Sequence, residues 1–324
     1  MNQQANAIII LLLILLASGC HKDESNPNQP GNPPDWTQIN VGFWDPNYNS
    51  INVTALLANA STVFAGTDSG VYISTNQGTN WLPRRTGLPK GFVRSFALNS
   101  AFLFAGTDSG LYRTSNAGVQ WSAANQGLPP SSVNSLAFFG TSLIAGTNAR
   151  IFRSTDDGST WIDASNGLVN SSEIFALQVK GTAVFAGTLG GAFRSTDGGL
   201  NWTSIDSGLI GNYINVHAFA VNGSNIYAAL YGLGVYRSVN DGASWQPVNT
   251  GLTNPYVGTI VAVGPNIFVG SSNGVFILTN GGQNWNTTGL TKANNGAYVL
   301  ASDGIFLYAG SGGLNGGMWR YPLQ

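Results

Sequence analysis

Along most of this chain, apolar side chains come in short runs alternating with polar ones, broken by Gly, Asn, Ser, Asp or Pro about every 8–12 residues. That rhythm predicts strands, and after the first few dozen residues no stretch keeps a helical period for three turns. Residues 93–125 show the unit. Val93–Asn99, Phe102–Thr107, Leu111–Thr114 and Trp121–Asn125 read as four successive strands, and Gly127-Leu128-Pro129 leads into the next unit. The one departure from the rhythm is an unbroken apolar block from Ile8 to Ala17.

The four-strand unit repeats. Phe64-Ala65-Gly66-Thr67 returns as Phe104-Ala105-Gly106-Thr107, Ile144-Ala145-Gly146-Thr147 and Phe185-Ala186-Gly187-Thr188. It continues as Tyr227-Ala228-Ala229, Phe268-Val269-Gly270-Ser271 and Tyr308-Ala309-Gly310-Ser311, with 40–42 residues between copies. That period belongs to propeller blades. Seven copies predict an all-β, seven-bladed β-propeller of four-stranded antiparallel blades. The small Ala-Gly pair lets neighbouring sheets approach closely. One bulky aromatic per copy fills the third strand: Tyr72, Tyr112, Phe152, Phe193, Tyr236, Phe276 and Trp319. Aromatics make up 11% of the chain, and most fall in such columns, so they read as core and not as a ligand platform.

Between the third and outer strands lies a polar turn with its own spacing. Its copies are Ser74-x-Asn76-x-Gly78-x-x-Trp81, Thr114-x-Asn116-x-Gly118-x-x-Trp121 and Ser154-x-Asp156-x-Gly158-x-x-Trp161. Ser195-x-Asp197-x-Gly199-x-x-Trp202, Ser238-x-Asn240-x-Gly242-x-x-Trp245 and a weaker Leu278-x-Asn280-x-Gly282-x-x-Trp285 follow. The hydroxyl and carboxamide or carboxylate side chains can bond backbone N–H groups in a tight turn, and Gly supplies positive φ. The Trp then opens the outer strand and buries a large ring. This turn resembles the Asp-box of bacterial neuraminidases, and the resemblance gives its residues an architectural role. The fuller repeat, A-G-T through R-S-x-D-G-G-x-x-W, is also similar to that of the photosystem II stability/assembly factor family, whose members are non-enzymatic. The Gly-His and Trp-Asp signatures of WD40 repeats are absent.

The two ends complete each other. The last repeat stops at Tyr321-Pro322-Leu323-Gln324 without an outer strand, while Trp36 to Gly42 matches an outer strand with no blade of its own. Residues 36–42 are therefore expected to complete blade 7, closing the ring and removing its sheet edges. The domain layout expected is a signal peptide at 1–19, a lipidated Cys20 and Pro/Asn-rich tether at 20–35, and the propeller at 36–324. Ile8 to Ala17 is too short to span a bilayer and sits where a signal sequence places its apolar region. Leu16-Ala17-Ser18-Gly19-Cys20 resembles a bacterial lipobox, which implies lipid on Cys20, membrane attachment and an outer-membrane location. Lys22-Asp23-Glu24 resembles the signal that some diderm bacteria use to send lipoproteins to the cell surface. The Pro-rich stretch to Pro34 would hold the body about 40 Å from the membrane. Cys20 is the only cysteine, so no disulfide is available and stability must come from packing.

Charge excludes several functions. Charged residues are 8% of the chain and the net charge is −1, with no basic stripe for nucleic acid. Arg113, Arg153, Arg194, Arg237 and Arg320 recur at one strand position, which reads as a per-blade structural role. His21 and His217 are the only histidines, so neither a metal site nor a cofactor is expected. His217 falls inside a strand run and reads as structural.

In a propeller, the loops before the inner strands meet those joining strands two and three on one face, around the channel. The polar turns lie on the other. Channel-face loops here are short and rich in Asn, Ser, Gly and Tyr. Such groups suit neutral glycans or peptide backbone. Candidate ligand contacts are Asp68, Asp108, Arg150, Glu173, Tyr213 and Tyr256, with no catalytic residue assigned. The expected function is a lipid-anchored, monomeric binding or scaffold propeller for a glycan or protein partner. The alternative is an Asp-box glycoside hydrolase. Sialidases of that family use three converging arginines, a Tyr–Glu pair and an acid Asp, usually with Arg-Ile-Pro near the start. Arg-Ile-Pro is absent, and Arg94 and Arg150 are the arginines expected near the channel face.

Overall fold

Residues 35–43, 51–169, 173–211, 213–291, 296–312 and 316–323 are described by the computed structural model. Their strands group into seven four-stranded antiparallel sheets, and no helix occurs among them. The protein is a seven-bladed β-propeller. The inner strands are Val53–Asn59, Val93–Leu98, Val133–Phe139, Ile174–Lys180, Val216–Asn222, Val257–Val263 and Val299–Ser302, in blades 1 to 7. Each packs against the inner strands of both neighbouring blades, blade 7 against blade 1 included. Residues 1–34, where the signal peptide, the lipidated Cys20 and nearly all of the tether are expected, lie outside the described residues.

Six blades are consecutive quartets of strands, and the seventh joins the two ends. Thr37–Gln38 pairs with Met318–Pro322, Thr37 opposite Arg320 and Gln38 opposite Trp319. The sequence expectation for closure holds, with a shorter outer strand than the run from Trp36 to Gly42.

The core lies between blades, with no single centre. Phe64, Val71 and Ile73 of blade 1 pack with Val93, Leu103, Ala105 and Trp121 of blade 2, and the same pattern repeats around the ring. Glycine in strand two sets the spacing. A Cβ on Gly106 would stand 2.4 Å from the Val133 carbonyl oxygen, and one on Gly187 2.5 Å from that of Val216. Both neighbours belong to the next blade, so the sheets meet at backbone distance there.

The turn tryptophans tie each blade to the one before it. Trp81, Trp121, Trp161, Trp202, Trp245 and Trp285 are all buried. Their indole N–H groups donate to the carbonyls of Ile39, Arg84, Ala124, Ala164, Ile205 and Val248 at 2.6–3.1 Å. Their backbone N–H groups donate to Val41, Thr86, Gln126, Asn166, Ser207 and Thr250 of the same preceding blades, at 2.8–2.9 Å. The outer strands differ from the sequence reading in where they begin. In blades 1 to 5 the Trp does not open its own outer strand, which begins one residue later at Leu82, Ser122, Ile162, Thr203 or Gln246. Trp285 alone among the six heads its strand, Trp285–Thr291.

Candidate functional site

In the inner strands of blades 1 to 6 the register slips by one residue near the channel face. Val53 and Ala55 pair with Thr67 and Gly66, which leaves Thr54 as an extra, unpaired residue. The same bulge sets apart Arg94, Asn134, Phe175, His217 and Gly258. Tyr298 precedes Val299, the partner of Gly310, and so holds the equivalent place in blade 7. A bulge breaks the in–out alternation and re-aims one side chain. In blades 1 to 6 the flanking positions are nearly uniform, Val or Ile on one side and Ala, Ser or Thr on the other. The bulge column differs in every blade. Its residues are half-buried or exposed, and a repeat that keeps its frame while varying one surface position is using that position for something other than the frame.

Each bulge residue has a companion fourteen residues on, just past strand two. In blade 2 the pair is an ion pair, Arg94 with Asp108. In blade 3 it is an amide pair, Asn134 Nδ2 donating to Asn148 Oδ1 at 2.9 Å. Blade 4 places Phe175 and Leu189 at these positions, and blade 5 stacks His217 on Tyr231 with ring centroids 5.0 Å apart and planes 15° from parallel. The channel face therefore changes from charged to amide to aromatic around the ring.

The aromatic sector is continuous. Phe175 lies 4.4 Å from His217, His217 stacks on Tyr231, and Tyr231 meets Tyr256 edge-on at 5.2 Å. Tyr231 is 48% exposed, Tyr256 52% and Tyr298 54%. Val169, Leu189 and Ile210 add exposed apolar groups in the loops of blades 4 and 5. Backbone bonds hold the two tyrosines: the N–H groups of Gly232 and Gly234 both donate to the Pro255 carbonyl, at 3.1 and 3.0 Å. Buried Asn254 accepts from the Tyr256 N–H at 2.9 Å and donates to Ser272 at 2.8 Å. His217 makes no hydrogen bond to a described residue, and its burial between rings lowers its pKa from the ordinary 6.5.

The residues proposed from sequence land in two groups. Tyr256 belongs to the aromatic sector, and Tyr213, 81% exposed, lies in the loop leading into blade 5 beside it. Three of the four charged candidates are engaged within their own blades. Asp68 accepts from Asn52 Nδ2 at 2.6 Å, and Asp108 is bound by Arg94 and by the Phe92 N–H. Arg150 is ion-paired with Asp163 on the outer strand of blade 3. Glu173 uses its backbone to join the blade 3 and blade 4 loops, and its carboxylate bonds no described residue. Phe175, His217, Tyr231 and Tyr298 were not singled out, because in sequence they look like ordinary strand or loop aromatics. Their signal is positional: they fall outside the two repeating aromatic columns.

On the opposite face the polar turns have a uniform geometry. The hydroxyls of Ser74, Thr114, Ser154, Ser195 and Ser238 accept from the N–H of Gly78, Gly118, Gly158, Gly199 and Gly242 at 2.8–3.1 Å. They donate at 2.7–2.9 Å to Asn76, Asn116, Asp156, Asp197 and Asn240. Bonds from the Thr160 hydroxyl, the Thr160 N–H and Ser154 draw the Asp156 carboxyl down to about 2. At Asp197 desolvation pushes upward, but bonds from Asn201, Ser195 and Leu200 outweigh it and bring the group to about 2. Where Leu278 replaces the hydroxyl, the left-handed residues shift one place earlier, to Asn280 and Gly281, and the Gly282 N–H turns to the Thr279 carbonyl. Clefts of about 260–420 Å³ open between blades on this face. No group of three His, Cys, Asp or Glu converges among the described residues.

No family model matches the chain, and no curated protein matches it. Solved structures do. The extracellular domain of BT4673 from B. thetaiotaomicron superposes with a TM-score of 0.72 at 14% identity, over 89% of this chain and 40% of that one. An ancestral GH74 enzyme gives 0.68 at 21% identity, over 86% of this chain and 46% of its own. The chain thus spans less than half the length of either. YCF48 bound to D1 peptide gives 0.64 at 15% identity, covering 92% of this chain and 97% of that one. At these identities the likeness is one of fold: all are similar propeller structures.

Proposed function

We propose that this chain is a binding propeller of the bacterial cell envelope, attached by lipid on Cys20, which engages a glycan or protein partner through its channel face. The observation that carries this reading is the bulge column, a position diversified in every blade and ending in an exposed aromatic sector on an otherwise repetitive frame. The turns on the other face, which resemble Asp-boxes, use their polar atoms on their own backbone, which leaves them little to offer a ligand. The extracellular and peptide-bound propellers among the similar structures are compatible with such a role. Hydrolysis is less well supported. A retaining or inverting glycosidase needs two carboxyl groups about 5–10 Å apart and free to act. Here Asp108 is ion-paired, one oxygen of Asp68 is hydrogen-bonded within its own blade, and Glu173 stands in a different blade from both.

The test uses the mature chain from residue 20 carrying Cys20→Ser, presented to immobilised envelope glycans and envelope proteins. Binding is expected to survive Ser100→Glu on the turn face and to disappear in Tyr256→Glu. The reverse pattern would overturn the reading. Release of chromophore from a chromogenic sialoside, lost in Asp68→Ala or Arg150→Ala, would replace it with catalysis. Palmitate labelling of the full chain, absent in Cys20→Ser, checks the anchor.

A further inference from the structure

Because the bulge column repeats one scaffold position seven times, each blade can be measured against the others. Blade 6 holds glycine there, and its backbone does not require one. Gly258 has no positive φ, and among the described residues a Cβ on it would meet nothing nearer than the Tyr298 carbonyl oxygen at 4.0 Å. The strand-two glycines, with neighbours at 2.4–2.5 Å, are different in kind. The missing side chain leaves an opening in the column, between His217 of blade 5 and Tyr298 of blade 7, next to the Tyr231–Tyr256 pair. Those tyrosines are pinned by the backbone bonds between the blade 5 and blade 6 loops, so a ligand meets a surface that is already ordered.

The groups beside this opening favour one kind of ligand. Asn215, two residues before His217, keeps its Oδ1 buried and out of a ligand's reach, and Glu173, its counterpart in blade 4, stands two blades away. The wall of the opening is therefore made by exposed or half-buried rings. A complementary ligand brings hydroxyl groups and a flat C–H face to lie on an aromatic ring, and it has no charge to desolvate. A peptide backbone, by contrast, exposes carbonyl and N–H groups that a wall of rings leaves without partners.

We infer that the opening over Gly258, walled by His217, Tyr231, Tyr256 and Tyr298, is a subsite for one pyranose ring of an uncharged oligosaccharide. This rests on the channel-face reading above and goes beyond it in naming the place and the ligand. The experiment is calorimetric titration of the mature Cys20→Ser chain with cellohexaose, mannohexaose and chitohexaose, and with a trimethyl-lysine peptide. At least one hexasaccharide is expected to bind. Gly258→Leu, which fills the opening, and Tyr231→Ala should each weaken it at least about tenfold. Ser100→Glu, on the turn face, should leave it within about twofold, and all three variants should keep the parent's cooperative melt. The His217 ring resonances should move on sugar binding in the parent and not in Gly258→Leu. Sugar binding that both Gly258→Leu and Tyr231→Ala retain would overturn the subsite while leaving the channel-face reading intact. Binding of the cationic peptide alone, or of no hexasaccharide at millimolar concentration, would overturn the ligand class. The channel-face reading itself stands or falls separately, on the Tyr256→Glu comparison.

Discussion

The imidazole of His217 lies 4.4 Å from the Phe175 ring and 5.0 Å from that of Tyr231, and burial lowers its pKa from 6.5. In the unfolded chain it binds a proton near pH 6.5, whereas in the native ring stack it stays neutral to lower pH. Between those values the unfolded state holds more protons, so stability rises with pH through that window. The native state is thus at full strength above about pH 6.5. It weakens as pH falls towards the lowered native pKa, and levels off below it. Urea denaturation at pH 7.5 and 5.5 should show the parent losing stability, and His217→Phe should remove most of that loss. Asp156 and Asp197 do not confuse the comparison, because their contribution is lost only as pH falls from 3.8 to about 2. Glycine makes a second residue-scale contrast. Gly106→Ala drives a methyl towards the Val133 carbonyl and should cost about 1–3 kcal/mol, as overpacking does. Gly258→Ala meets open space and should be neutral or up to about 1 kcal/mol stabilising, through the unfolded chain. Equal losses at the two positions, measured by chemical denaturation, would refute this distinction between glycines.

At the scale of the element, each polar turn is organised by one hydroxyl. Ser195, nearly fully buried, accepts from the Gly199 N–H at 2.9 Å and donates to Asp197 at 2.7 Å. Ser195→Ala strands a buried N–H and loosens the Asp197 carboxylate, at a cost of about 1–3 kcal/mol. The Leu278 turn shows how a blade manages without the hydroxyl: its left-handed residues move one place and the N–H finds another carbonyl. A calorimetric melt of Ser195→Ala that matches the parent would mean blade 4 re-registers in the same way. The third-strand arginines complete the element. Arg194, Arg237 and Arg320 donate to the carbonyls of Asp241, Gly281 and Gln77, each a left-handed residue in the next blade's turn. These parts were legible in sequence, because Ser195, Asp197, Gly199 and Trp202 recur in phase and each recurrence reinforces the same geometry. The candidate site was only half legible. Tyr213 and Tyr256 stand in loops whose composition invites attention, but Phe175 and His217 sit in strand runs and look like core. What turns them to the surface is the bulge, a one-residue slip in pairing that leaves no mark in the pattern of apolar and polar residues. The pattern is equally silent on the charged candidates: a sequence shows that Asp108 and Arg94 are near the face, not that they pair with each other.

For the whole molecule, the short N-terminal segment does far more than its length suggests. Ile39 donates to the Met318 carbonyl at 2.8 Å, and Asn40 Oδ1 accepts from the Met318 N–H at 2.8 Å, within blade 7. Trp81 of blade 1 spends its indole N–H on Ile39 and its backbone N–H on Val41. Phe43 packs on Tyr72 at 4.6 Å and Trp81 at 5.2 Å, and Trp36 reaches Thr288 of blade 6 at 3.0 Å. Eight residues therefore join three blades. Deleting 36–43 would strand two N–H groups on a buried Trp81, at about 1–3 kcal/mol each, and uncover the edge of Met318–Pro322. Against a total stability of about 5–15 kcal/mol, that should lower the melting temperature steeply and promote association through the bare edge. If the loss comes from the open ring and not from general damage, a synthetic peptide of residues 35–43 should restore the melt as its concentration rises, by mass action. Variants of that peptide changed at Ile39 or Phe43, whose side chains are buried between blades 7 and 1, should restore less. A truncated chain that melts with the parent, or that ignores the peptide while remaining monomeric, would show that the ring holds without its clasp.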